Sequence, residues 1–170
     1  DHRDPESLSF DRDRHARAES ALGWLNLEAA LAIPNWIGME IDPIALVQGF
    51  LQRLKDRIQS APVGHLKVFL ETPSHAIKAS IVDWRLGYDL EQIDSRKKVD
   101  DRSTQQNENR VLINLRALRD PSELVRHSLE ALREAASLQQ AEIHIIKEKA
   151  LRPGKPKPTY RIGDMQQHSL

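Results

Sequence analysis

Apolar and polar residues alternate with a period of two in several stretches of the chain and recur at spacings of three and four in two others. The first pattern belongs to strands with one buried face, the second to helices with one buried stripe. From Glu19 to Leu31, residues Ala21, Gly23, Leu25, Leu27, Ala29 and Leu31 face one way, and Leu22, Trp24, Asn26 and Glu28 the other. Leu, Ala and Glu are also good helix formers, so a helix is the alternative here. The strand is preferred because the helix that follows needs a strand before it to act as a crossover. That helix opens at Asp42-Pro43, a cap followed by a first-turn proline. Ile44, Val47, Phe50, Leu51, Leu54 and Ile58 form its stripe, and Pro62 and Gly64 end it. From His65 to Glu71, Leu66, Val68 and Leu70 alternate with Lys67 and Phe69. From Ala76 to Asp83, Ile77, Ala79 and Ile81 alternate with Lys78, Ser80 and Val82, with Thr72-Pro73-Ser74-His75 as the hairpin loop.

The stretch from Asn109 to Lys149 repeats the arrangement. Val111, Ile113 and Leu115 alternate with Leu112 and Asn114, Asp120-Pro121 opens a helix, and Glu123 stands where a capping-box partner would sit. Leu124, Val125, Ser128, Leu129, Leu132, Ala135 and Ala136 make the stripe, and Ile143 and Ile145 alternate with Glu142 and His144 in a returning strand. Assembled, the order predicts an α+β fold, a ferredoxin-like split β-α-β sandwich: a mixed sheet of about five strands with both helices on one face. The strand from Ala76 would lie at an edge, and the strand from Arg110 centrally beside the first. Parity then places Trp24, Asn26, Glu28, Lys67, Phe69, Lys78, Ser80, Asn114, Glu142 and His144 on the opposite, open face. Of these, Trp24, Lys67, Phe69, Lys78, Asn114 and His144 are the candidate interaction residues.

Outside these elements the chain is polar. Residues 1–18 hold only Leu8 and Phe10 as large apolar residues and read as a tail or interdomain linker, residues 19–151 as the domain, and residues 152–170 as a basic, proline-rich tail. Residues 84–108 read as a flexible excursion, almost wholly charged or amide-bearing from Asp94 onward. The first residue is Asp1 rather than a methionine, which fits a fragment of a longer polypeptide.

Composition narrows the function. The 170 residues carry 25 Lys+Arg and 25 Asp+Glu, so no net field draws the chain to nucleic acid or to a membrane surface. The sequence contains no cysteine; disulfides and thiolate chemistry are excluded, and a cytoplasmic setting is expected. No apolar run approaches the roughly 18 to 20 residues of a membrane span. There is no phosphate-binding loop, and no Gly-x-Ser-x-Gly, His-Glu-x-x-His or Gly-x-Gly-x-x-Gly motif. No catalytic residue is assigned, and an enzyme is not expected. Among the seven histidines, His2 and His15, close in sequence to Asp1, Asp4, Asp11 and Asp13, are the candidate metal ligands for zinc or cobalt; as surface histidines they would bind nothing. Trp24 and Phe69 with Lys67 and Lys78 could stack RNA bases, but the central strand Val111 to Leu115 lacks the aromatic residues of RNA-binding sheets.

Taken together, these segments resemble the C-terminal domain of CobW-family GTPases, the metal-chaperone relatives of cobalamin-biosynthesis proteins. The resemblance rests on Asn109-Arg-Val-Leu-Ile-Asn-Leu-Arg116 followed by Leu118-Arg-Asp-Pro-Ser-Glu-Leu-Val125, on Val63-Gly-His-Leu-Lys-Val-Phe69, and on Leu8-Ser-Phe10 behind a tail bearing His and Asp. It implies a non-catalytic accessory domain, without a cofactor of its own, that docks on an upstream GTPase domain or on a client protein that receives the metal. The family's nucleotide site and its Cys-x-Cys-Cys motif belong to the preceding domain, so neither carries over to this chain. The alternative is an independent binding module that uses the open sheet for RNA or a small ligand.

Overall fold

The computed structural model describes residues 21–34, 40–94 and 108–154. Eight elements follow one another: β1 (Gly23–Ala32), α1 (Pro43–Ile58), β2 (Val63–Glu71), β3 (His75–Ile81), β4 (Asp89–Asp94), β5 (Asn109–Ala117), α2 (Pro121–Ser137) and β6 (Glu142–Leu151). Both helices start as their sequences require. The Asp42 carboxylate accepts hydrogen bonds from the backbone N–H groups of Ile44 and Ala45, each at 3.0 Å, with Pro43 in the first turn. Asp120 accepts from Ser122 N–H at 2.9 Å and from the Ser122 hydroxyl at 2.6 Å. Each cap satisfies donors that the helix itself leaves open. Glu123, at the capping-box position, lies instead against Arg119, 3.5 Å away.

The strands form one sheet in the order β4-β3-β2-β5-β1-β6, and every neighbouring pair is antiparallel. This corrects two expectations: the sheet has six strands rather than five, and it is not mixed. The added strand is Asp89–Asp94, which falls within the stretch expected to be a flexible excursion. It pairs with β3 from His75↔Asp94 to Ser80↔Asp89, so β3 is not an edge. An edge strand has one partner and little to bury, and polar residues such as Asp89, Glu91 and Gln92 suit it. Trp84, expected in the same excursion, packs against the core from the turn before β4. Residues 95–107 of that stretch, and the tail at residues 1–18, lie outside the described residues. The first segment is a strand, not a helix, and β5 lies centrally beside it.

Both helices cover the same face. α1 lies over β2 and β3, α2 over β1 and β6, and the helices pack against each other. Leu25, Leu27, Ala29 and Leu31 of β1, Leu66, Val68 and Leu70 of β2, and Val111, Ile113 and Leu115 of β5 meet Leu46, Val47, Phe50, Leu51, Leu54 and Ile58 of α1 in one core. From α2 come Leu124, Ala131, Leu132, Ala135 and Ala136; Val125 and Leu129, expected in the stripe, flank the core half-buried. Burial of this kind contributes about 1.5–3 kcal/mol for each large side chain. At the start of β1 the α2 connection comes so near that a side chain at Gly23 would place its Cβ 2.3 Å from the Arg119 carbonyl oxygen. Across the outer side of the helices, Arg57 bonds Glu134 at 2.5 Å and Arg53 lies 3.5 Å from the same carboxylate.

Candidate functional site

Because both helices lie on one side, the other side of the sheet is free of them. Register arranges its side chains in rows, since directly paired residues point to the same face. The first row, at the start of β1, joins His65, Arg116, Trp24 and Leu151. The second joins Asp89, Ser80, Lys67, Asn114, Asn26 and Lys149. In the third stand Glu91, Lys78, Phe69, Leu112, Glu28 and Lys147, and in the fourth Ile93, Ala76, Glu71, Arg110, Ala30 and His144. Ala32 and Glu142 close the far end. All six residues singled out from the sequence, Trp24, Lys67, Phe69, Lys78, Asn114 and His144, therefore share this face. His2 and His15 lie outside the described residues.

The rows differ in chemistry. The Arg116 guanidinium stands 3.8 Å from the centre of the Trp24 ring, where the ring's electron density attracts a cation. The Trp24 indole N–H is buried and has no acceptor among the described residues. Lys67, Asn114, Asn26 and Lys149 form a polar band, all exposed. Beside it, half-buried Phe69 and Leu112 make an apolar centre. Arg110 pairs with Glu28, and Lys78 lies 3.9 Å from Glu91. The first two rows carry Arg116, Lys67 and Lys149 against one carboxylate, Asp89, whereas from the third row onward Lys78, Lys147 and Arg110 stand with four, Glu91, Glu28, Glu71 and Glu142. Sequence parity placed these residues on one face. The stacking of Arg116 on Trp24 and the polarity along the strands required the register.

Two other places were candidates for chemistry. A shallow groove between the start of α2 and β6 is lined by Asp120, Ser122, Val125, Glu148 and Arg152. Its Asp120 is occupied as the helix cap, which together with Ser122 holds its carboxyl below the usual range. On α2, His127 is mostly buried, and burial followed by the charge of Arg126 pushes its pKa down; the residue lies on a helix, on the side of the sheet opposite the open face. Among the described residues no group of three or more His, Asp or Glu is placed to hold a metal ion. None of the helices described is long and apolar enough to cross a membrane.

Comparison of the chain with protein-family models, with curated proteins and with solved structures returned no match.

Proposed function

We propose that this chain is a non-catalytic interaction domain that docks on a folded protein through the open face of its sheet. The observation that carries the reading is the asymmetry of the fold: both helices lie on one side, and the side that no described helix covers holds an apolar centre, Phe69 and Leu112, between charged margins. A protein interface has the same composition, an apolar core inside a polar rim. The order β6-β1-β5-β2 of the strands that flank the two helices, with β3 and β4 beyond β2, supports the reading of a ferredoxin-like split β-α-β domain with an extended sheet. The sequence resemblance adds a setting, an accessory domain of a metal-handling CobW-like GTPase in the cytoplasm. The nucleotide, and any zinc or cobalt at a Cys-x-Cys-Cys site, would be held elsewhere, and the GTPase domain or a metal-receiving client would be the protein docked.

The RNA reading of the same face is weaker. Trp24 is already stacked by Arg116, and Glu28, Glu71 and Glu142 share the face, where they would repel phosphates. The test is calorimetric titration of this chain with the GTPase domain that this reading requires upstream of Asp1. Binding that weakens for Phe69→Ala, while the variant keeps its fold, is the expected result. The reading fails if the affinity is unchanged by Phe69→Ala, or if the upstream coding sequence holds no phosphate-binding loop.

A further inference from the structure

We infer that the occupant of the open face is a second copy of this chain, so that two sheets pack face to face about a two-fold axis. The inference rests on the reading of this face as a protein-docking surface and commits the face to a second copy, so that the GTPase domain or client would meet it only in the monomer.

Three features of the face support it. The first is charge polarity along the strands. On β2, Lys67 stands two residues before Phe69 and Glu71 two residues after it, all on the open side. A two-fold axis lying between the sheets at the level of Phe69 and across the strands reverses strand direction in the second copy. Lys67 of each copy then stands opposite Glu71 of the other, and the cationic first rows face the end that carries Glu142. The second is the middle row. There Phe69 and Leu112 would meet their own counterparts on the axis; Lys147 and Glu28 on one side of them and Lys78 and Glu91 on the other would also meet their own counterparts, each charge flanked by its opposite on the neighbouring strand. The third is area. Six strands at about 4.8 Å spacing and about nine residues long span a face of roughly 700 Å², near the roughly 800 Å² that each partner contributes to a standard interface. Aligned packing of two such sheets is the ordinary geometry of a β-sandwich.

The competing route to a dimer is pairing along the exposed edge β6. That edge carries an irregularity opposite Glu28 and Ala29 and the lysines Lys147 and Lys149, features that block edge-to-edge pairing.

The experiment is sedimentation equilibrium of the full chain, with circular dichroism to verify that each variant is folded. The wild-type chain is expected at twice its 19.4 kDa. Lys67→Glu and Glu71→Lys should each weaken self-association by about tenfold or more, because each sets like charges against each other across the axis. Mixing the two variants should restore association as a heterodimer, since every Lys67 and Glu71 position then meets an opposite charge again. A wild-type chain that stays monomeric, or a mixture no tighter than its components, overturns the self-pairing. If that monomer still binds the GTPase domain in a manner weakened by Phe69→Ala, the docking reading stands without it. A dimer indifferent to both reversals, together with GTPase-domain binding indifferent to Phe69→Ala, overturns both.

Discussion

Gln139 and Asp42 are joined by two hydrogen bonds. The Gln139 side-chain oxygen accepts from the Asp42 backbone N–H at 2.8 Å, and its amide nitrogen donates to the Asp42 carbonyl at 3.0 Å. The pair spans 97 positions of sequence and ties the start of α1 to the turn after α2. Asp42 is therefore held by its backbone while its side chain caps the helix. Gln139→Ala should lower stability by about 1 kcal/mol, the net worth of such bonds at a surface. Urea denaturation measures this, and an unchanged midpoint would mean that water replaces the amide without loss.

The two faces of the sheet should respond differently to truncation. Leu132 is fully buried between α2 and the sheet, and Leu132→Ala should cost about 2–5 kcal/mol through lost burial and the cavity left behind. Phe69→Ala, on the open face, should cost well under half as much in the monomer, and half-buried Leu129→Ala should fall between them. Equal melting losses for Leu132→Ala and Phe69→Ala would show that Phe69 belongs to a packed interior.

Gly23 is required by space. A methyl group there would meet the Arg119 carbonyl oxygen at 2.3 Å and the Leu124 side chain at 3.0 Å. Gly23→Ala must push the β5–α2 connection away from β1, and a loss of about 1–3 kcal/mol is expected. Thermal unfolding checks it. Gly87 is different: its surroundings are open but its φ is +82°, so Gly87→Ala is strained by its backbone rather than by a neighbour.

His127 should make stability depend on pH. Burial, then Arg126, lowers its pKa from the ordinary 6.5. The folded state thus favours the neutral ring, and the unfolded state binds the proton more readily. Its contribution is complete above about 6.5 and is lost as the pH falls through the lowered folded value. In His127→Gln the decline in stability between neutral pH and about pH 5 should be shallower than in the wild type. Denaturant titrations at the two pH values measure the difference, and identical slopes would exclude His127 as the source.

The isolated chain should neither bind nor hydrolyse GTP, because its sequence contains no loop able to cradle the phosphates. Calorimetry showing micromolar GTP binding would overturn this.

Local rules sufficed for much of the architecture. The alternation around Leu25, Leu66, Ile77 and Ile113, and the caps at Asp42 and Asp120, are short-range consequences of side-chain period and unsatisfied helix donors. They placed both helices on one face and Trp24, Lys67, Phe69, Lys78, Asn114 and His144 on the other, because parity along a strand cannot change without moving every residue across. Strand β4 was not legible. Asp89–Asp94 gains its order from the β3 backbone it pairs with, and an edge strand need not carry a buried stripe to announce itself. The same limit hid the anchoring of Trp84, the bond of Gln139 to Asp42 and the placement of Arg116 over Trp24. Each depends on groups far apart in sequence, and only the tertiary packing that sets strand register and helix position brings them within reach.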